Sequence, residues 1–261
     1  MKCIMPGKYD AKNLSQKYGK NADPRLVEIA ENLDKMKIGV DDTFEFGCRA
    51  CGKCCRNRTD IIVSPRDIYN IAKELDMMPG NVYFKYCDRY IGGSSRVPIA
   101  KLISEGPDNH CPLLKDNKCS VHKAKPTVCA LYPLGRGINT QSGENMKKED
   151  IYYILQPSDC NCTKETHTVR EWVESFGLPI EDQYYVDWMG LVSELSKQFR
   201  EYEKTMDPEK LKAVYEVVSL AMYYSYSIKD AFEPQFEINC QRIREIMKVV
   251  AESEQEGNDN A

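Results

Sequence analysis

Four cysteines fall within eight residues in the segment Cys48-Arg49-Ala50-Cys51-Gly52-Lys53-Cys54-Cys55. A Cys-x-x-Cys step wraps the backbone so that two thiolates converge on one cation. The second step, Cys51 to Cys54, adds a third ligand on the same turn. Gly52 permits a tight turn in which backbone amides point toward sulfur. Three cysteines at this spacing begin the ligand run of bacterial ferredoxins. The next position departs from that run, because Cys55 follows immediately and no fourth cysteine stands where the ferredoxins have one. Adjacent side chains rarely point at one ion, so Cys55 serves a second site, a shared cluster or packing.

A second group follows in the segment from Cys111 to Pro133, with Cys111-Pro112, Cys119, His122 and Cys129. A remote Cys-Pro pair suits completion of an iron–sulfur site. Equally, Cys119 and Cys129 can close a tetrahedral zinc site with a Cys-x-x-Cys from the first group. His122 stands three residues after Cys119, within ligand reach. A lone histidine is more often a surface group or a partner that orients a ligand. Cys160-Asn161-Cys162 forms a third, weaker group, in which one ligand is expected rather than two. Cys3, Cys87 and Cys240 have no partner at meaningful spacing and are expected to be buried structural thiols.

Charge supports a role for the first two groups. Residues 48–58 carry Arg49, Lys53, Arg56 and Arg58 with no acid. Residues 111–136 carry five cations, including Lys115, Lys118, Lys123 and Lys125, against Asp116. Each segment is therefore +4, and the remainder must hold −12 for the whole chain to reach −4. Nearby cations offset the net −2 left by four thiolates on Zn²⁺ or on a cubane core, and they favour the thiolate form. The acidic balance of 36 Lys+Arg against 40 Asp+Glu excludes a nucleic-acid binder that works by overall basicity. The longest uncharged stretch, residues 217–228, is far short of a membrane span. The N-terminus is broken by Pro6, Gly7 and Lys8 before an apolar signal core develops, so the cytoplasm is the expected compartment. There, clustered thiols are metal ligands or catalytic groups rather than disulfides.

The elements that must position these cysteines are short. Asp23-Pro24 starts a helix carrying Leu26, Ile29, Ala30 and Leu33. Thr43 to Phe46 is extended and leads into the first cysteine group. Asp60 to Val63 reads as a strand. Ser64-Pro65-Arg66-Asp67 then caps a helix with Ile68, Ile71, Ala72 and Leu75 on one face. A short helix over Asn81 to Tyr86 follows, and Arg96–Ile103 and Ile151–Leu155 are β-compatible. Beyond Cys162 no cysteine appears over residues 163–239, and the pattern turns helical. Thr168 caps a helix through Trp172 and Phe176, and Trp188, Leu191, Val192, Leu195 and Phe199 mark a long one. Asp207-Pro208 opens a third, with Leu211, Val214, Val218 and Met222. A last helix from about Gln235 is expected to face Ile238, Ile243, Ile246 and Val250 inward. The expected fold is α+β: a loop-rich cysteine core with short strands and helices, then a helical C-terminal half. The expected divisions are a helical lead-in (1–40), the cysteine-cluster domain (41–166), the helical region (167–255) and a flexible tail (256–261).

The combination Cys48-x-x-Cys51-Gly52-x-Cys54-Cys55, Cys111-Pro112-Leu113, Cys119 and Lys125-Pro126-x-x-Cys129-x-x-Tyr132-Pro133 resembles the YkgJ-type cysteine-cluster family. That family is described as zinc- or iron-chelating and noted for a CxxCxxCC signature. The resemblance spans residues 44–165. It implies a metal-binding set of Cys48, Cys51, Cys54, Cys55, Cys111, Cys119 and Cys129, with Cys160 or Cys162 matching a late family cysteine. Lys125 stands where the family often has Arg, Ala130 stands in place of Arg, and no Gly follows the late cysteine. The helical C-terminal half lies outside the resemblance.

All-sulfur ligation excludes Ca²⁺ and Mg²⁺ and leaves zinc, iron–sulfur or Cu(I). The triple cysteine run and the remote Cys-Pro favour an iron–sulfur cluster over zinc. Two alternatives remain beside a metal-binding protein. The signature also resembles that of flagellin lysine N-methylases, which implies a metal-dependent transferase. No nucleotide-binding glycine loop after a strand and no Ser/His/Asp arrangement accompanies it, so catalytic residues are unassigned. The other alternative is a zinc-stapled structural protein whose C-terminal helices dock a protein partner.

Overall fold

Short strands need partners from distant segments, and that requirement organises the first of two units. The computed structural model describes residues 24–140, 145–158 and 165–259. The fold is α+β, with small antiparallel sheets and a helical C-terminal half. The first unit draws on residues 24–49, 130–140, 147–158 and 165–182; the second on 50–129, 145–146 and 183–259.

In the first unit, helix α1 (Pro24–Met36) packs against strand β9 (Ile151–Leu155) of a sheet ordered β1-β9-β8, in which β1 is Lys37–Ile38 and β8 is Leu134–Ile138. Asp23, its expected cap, lies outside the described residues. Strand β2 (Thr43–Glu45) pairs with β10 (Thr166–Thr168), placing Phe44 opposite His167. Phe44 is buried between exposed Thr43 and Glu45, the alternation of a one-faced strand. Thr168 caps α5 (Val169–Glu174) as expected, and Glu171 completes a capping box with it. The helix stops short of Phe176, and Gly177 turns left-handed at φ 68°. Trp172 meets Phe44 and Phe46 edge-on at 6.0 and 5.4 Å, and its indole N–H donates to the Leu131 carbonyl at 3.1 Å.

One buried ion pair ties this unit across its sheet. Arg136, opposite Tyr153 in the β8–β9 ladder, donates to Asp182 at 2.9 Å, and the two side chains are only 5% and 2% exposed.

The second unit is built around a sheet ordered β3-β5-β4, from Ile62–Val63, Pro98–Leu102 and Cys87–Ile91. Helices α2 (Pro65–Glu74) and α3 (Pro79–Tyr86) pack together beside it. The expected Ser64/Asp67 capping box is present on α2, and Ile68, Ile71 and Ala72 are fully buried. Gly80 of α3 lies directly under the Tyr224 ring; a Cβ there would sit 2.1 Å from it. Helix α6 (Gln183–Thr205) buries Leu191, Leu195 and Phe199 as its periodicity predicts. Asp207 caps α7 (Pro208–Tyr223) through the Glu209 and Lys210 amides, and Val218 and Met222 are buried. Helix α8 (Phe232–Asp259) departs from expectation in its start and its stripe. Phe236, Cys240, Ile243 and Met247 face the core, whereas Ile238 is 54% exposed. Residue 238 stands about 200° around the helix from 236, so one face cannot hold both. Cys87 and Cys240 are buried, as expected.

Removing one partner of the Arg136–Asp182 pair strands a buried charge. Asp182→Ala is expected to lower stability by about 3–5 kcal/mol, read from the urea midpoint, while a joint Arg136→Met/Asp182→Leu replacement recovers most of that loss.

Candidate metal centre

Three segments of the second unit carry the thiols, and left-handed backbone lets them approach one another. In the first, Gly52 adopts φ 71° and leads into a 3₁₀ turn over Lys53–Cys55, closed by the Cys55 amide on the Gly52 carbonyl at 3.1 Å. A Cβ at Gly52 would meet the Asn117 carbonyl oxygen at 3.2 Å, so glycine serves both the backbone and the close approach. In the second segment, Asp116 and Asn117 at φ 50° and 59° form the two-residue turn between β6 (Leu114–Lys115) and β7 (Lys118–Cys119). Two left-handed residues make the turn type that matches strand twist, and Asp and Asn tolerate it best after glycine. Cys119 therefore sits opposite Leu114 at the hairpin's end. The third segment is the one-turn helix α4 (Thr127–Leu131), which carries Cys129.

Backbone and side chains lock the first two segments together. The Cys111 amide donates to the Cys55 carbonyl at 2.8 Å, and the Asn57 amide donates to Asp108 at 2.9 Å. The Arg56 guanidinium spans the Asp108 carboxylate and the Asn117 side-chain oxygen, the latter at 2.6 Å. His110 Nδ1 lies 2.7 Å from Asp108 Oδ1. The His110 bond, then Arg56, holds the Asp108 carboxyl below the usual range.

The thiols feel one another. Cys54 and Cys55 sulfurs stand 3.9 Å apart, against the expectation that adjacent cysteines diverge; the 3₁₀ turn brings them within reach. The bond from Cys55, helped by Lys125 and Arg58, lowers Cys54 to about 6. That same bond, then burial, then the charges of Cys54, Cys129 and Cys111, push Cys55 up. Burial raises Cys111, and charge on Cys119 and Cys54 adds to it. Cys119 is raised by burial and by Cys54, with Lys125 opposing. Cys129 is raised by burial and by charge on Cys111, Cys54 and Cys119, with Arg58 opposing. The structure thus draws Cys54, Cys55, Cys111, Cys119 and Cys129 into one electrostatic neighbourhood.

The other candidates are exposed or fall outside the described residues. Cys48 and Cys51 are exposed. Cys160 and Cys162 fall outside the described residues, as does Cys3. His122 is exposed on a 3₁₀ turn, its pKa lowered by partial burial and by Lys125. Sequence reasoning missed the Arg56–Asp108–Asn117 clamp, a long-range contact that no local pattern encodes. It also missed the β6–β7 hairpin, although Asp116-Asn117 between short runs is a hairpin signal.

The donor chemistry suits a thiophilic metal, because the five interacting groups are all sulfur, with Lys125 and Arg58 acting on them. Among the described residues, no three His, Cys, Asp or Glu groups are already closed into a metal-holding arrangement. Among these residues, too, no helix is long and apolar enough to cross a membrane.

Fold and site together define an α+β protein with a thiol-rich core closed by left-handed turns. Residues 47–161 match the CxxCxxCC family, described as "Putative zinc- or iron-chelating domain". No curated protein matches the chain. No solved structure does either.

The lowered Cys54 has a direct readout, because its thiolate forms as pH rises through about 6. In metal-free protein, alkylation of Cys54 is expected to climb through that value, while Cys87, which burial raises to about 12, stays unmodified at pH 8. Mass mapping of labelled peptides across pH 5–9 checks this.

Proposed function

We propose that the chain chelates iron as a cysteine-ligated iron–sulfur centre, with zinc as the competing occupant of the same thiols. The observation that carries this reading is the set of interacting thiols Cys54, Cys55, Cys111, Cys119 and Cys129. Burial and the charge of neighbouring thiolates disfavour ionisation of Cys55, Cys111, Cys119 and Cys129, and a bound cation offsets that cost while taking the thiolates as ligands. Cys48 and Cys51 complete the Cys-x-x-Cys-x-x-Cys run, and Cys160 or Cys162 supplies a late ligand. Such a centre supplies electron transfer or a structural clip, according to its potential and exposure. All nine described cysteines are free thiols, which suits a reducing compartment such as the cytoplasm.

Anaerobic purification followed by iron, sulfide and zinc analysis tests the reading. Iron and sulfide in fixed ratio with a visible charge-transfer spectrum are expected; stoichiometric zinc without sulfide would overturn the iron–sulfur assignment. Cys51→Ser or Cys54→Ser is expected to abolish metal loading, whereas Cys240→Ser, a change within the helical core, leaves metal content unchanged.

One observation favours a structural role beside this. Val217, Leu220 and Tyr224 are exposed at helical spacing at the C-terminal end of α7, a face that can meet a protein partner. If metal there is a staple, stripping it with a chelator should collapse cooperative unfolding. Survival of the fold with loss of a redox signal would reject that role.

A further inference from the structure

Asp67 is a buried carboxylate, 4% exposed, on a rigid helix. Its Oδ2 accepts from the Ser64 amide and hydroxyl, each at 2.8 Å, the expected cap of α2. Its Oδ1 reaches elsewhere. It accepts from the Thr127 amide at 2.8 Å and the Thr127 hydroxyl at 2.7 Å, sixty residues along the chain. Four donors satisfy the carboxylate completely, which is what a buried charge without a cation requires. The Thr127 amide is an orphan donor at the start of α4, and the preceding Pro126 has no side chain that can cap it. Asp67 therefore acts as a cap supplied from another helix.

A five-residue helix has no stability of its own. What fixes α4 is its docking, and the Cys129 amide bonds back to the Pro126 carbonyl at 2.8 Å, tying the cysteine to the capped end. Helix α2 also packs against the 3₁₀ turn His122–Ala124 that precedes α4. We infer that Asp67, through Thr127, is a positioning residue that sets the location of Cys129 among the clustered thiols. Its effect on metal affinity rests on the function proposed above; its effect on Cys129 does not.

Three variants and two readouts test this. Thr127→Val removes the hydroxyl donor at similar volume, Thr127→Ser restores it, and Ser64→Ala weakens the α2 cap while leaving both Thr127 bonds. Cobalt(II) is the metal probe, read by its thiolate charge-transfer band, and Cys129 alkylation in metal-free protein is read by mass mapping. Thr127→Val is expected to weaken cobalt binding about tenfold to a hundredfold, the usual effect of losing a group that orients a ligand. It should also alter the band shape and raise Cys129 alkylation several-fold over Cys111. Thr127→Ser should restore both. Ser64→Ala should lower thermal stability without moving either. Wild-type Cys129 alkylation in Thr127→Val, or an equal rise in Ser64→Ala, would overturn the inference. If the parent protein takes up no cobalt, the proposed function fails, and the alkylation arm still decides the role of Asp67.

Discussion

Thiols crowded in a partly buried space are the constraint on which the rest of this site depends. Burial raises Cys111, Cys119 and Cys129, and charge on neighbouring thiols adds to it, whereas at Cys54 the Cys55 bond outweighs burial and lowers the thiol. A cation changes the balance, because it turns mutual repulsion into shared attraction. Lys125 and Arg58 do a fraction of this in the metal-free protein. Their presence explains why an acidic chain keeps its basic residues beside its cysteines.

Bringing the segments together is a backbone problem before it is a side-chain one. Left-handed residues at Ala50, Gly52, Asn57, Gly106, Asn109, Asp116 and Asn117 concentrate in the loops that carry or flank the thiols. Each reverses the chain tightly, and the Cys111–Cys55 and Asn57–Asp108 backbone bonds then join loop to loop. The helices provide the fixed ground. Helix α2, anchored by Ile68, Ile71 and Ala72, carries Asp67 to the start of α4.

Local elements were largely legible in the residues. The Ser64/Asp67 capping box, the Thr168 and Asp207 caps and the Ile151–Leu155 strand follow from short-range chemistry and appear where expected. Strands β1, β4 and β8 were not legible. Two or five residues with glycine or charge among them have no period of their own, and they become strands only when a partner supplies the ladder. The inward stripe of α8 held at Ile243 and Ile246 and failed at Ile238, because apolar residues occur around much of that helix. Packing against α7 selected Phe236, Cys240, Ile243 and Met247.

The sequence by itself determined the donor atoms. Clustered cysteines with cations and few histidines present sulfur, the donor that suits soft metals, since side-chain identity is covalent and needs no fold. It also determined most helices, because caps and 3.6-residue periodicity act over a few residues. Only the tertiary structure decided which thiols share a neighbourhood, that Cys54 and Cys55 meet, and that Arg56 clamps Asp108 and Asn117. It alone gave Asp67 a second task beyond its own helix, because a hydrogen bond across sixty residues depends on where two helices end in space.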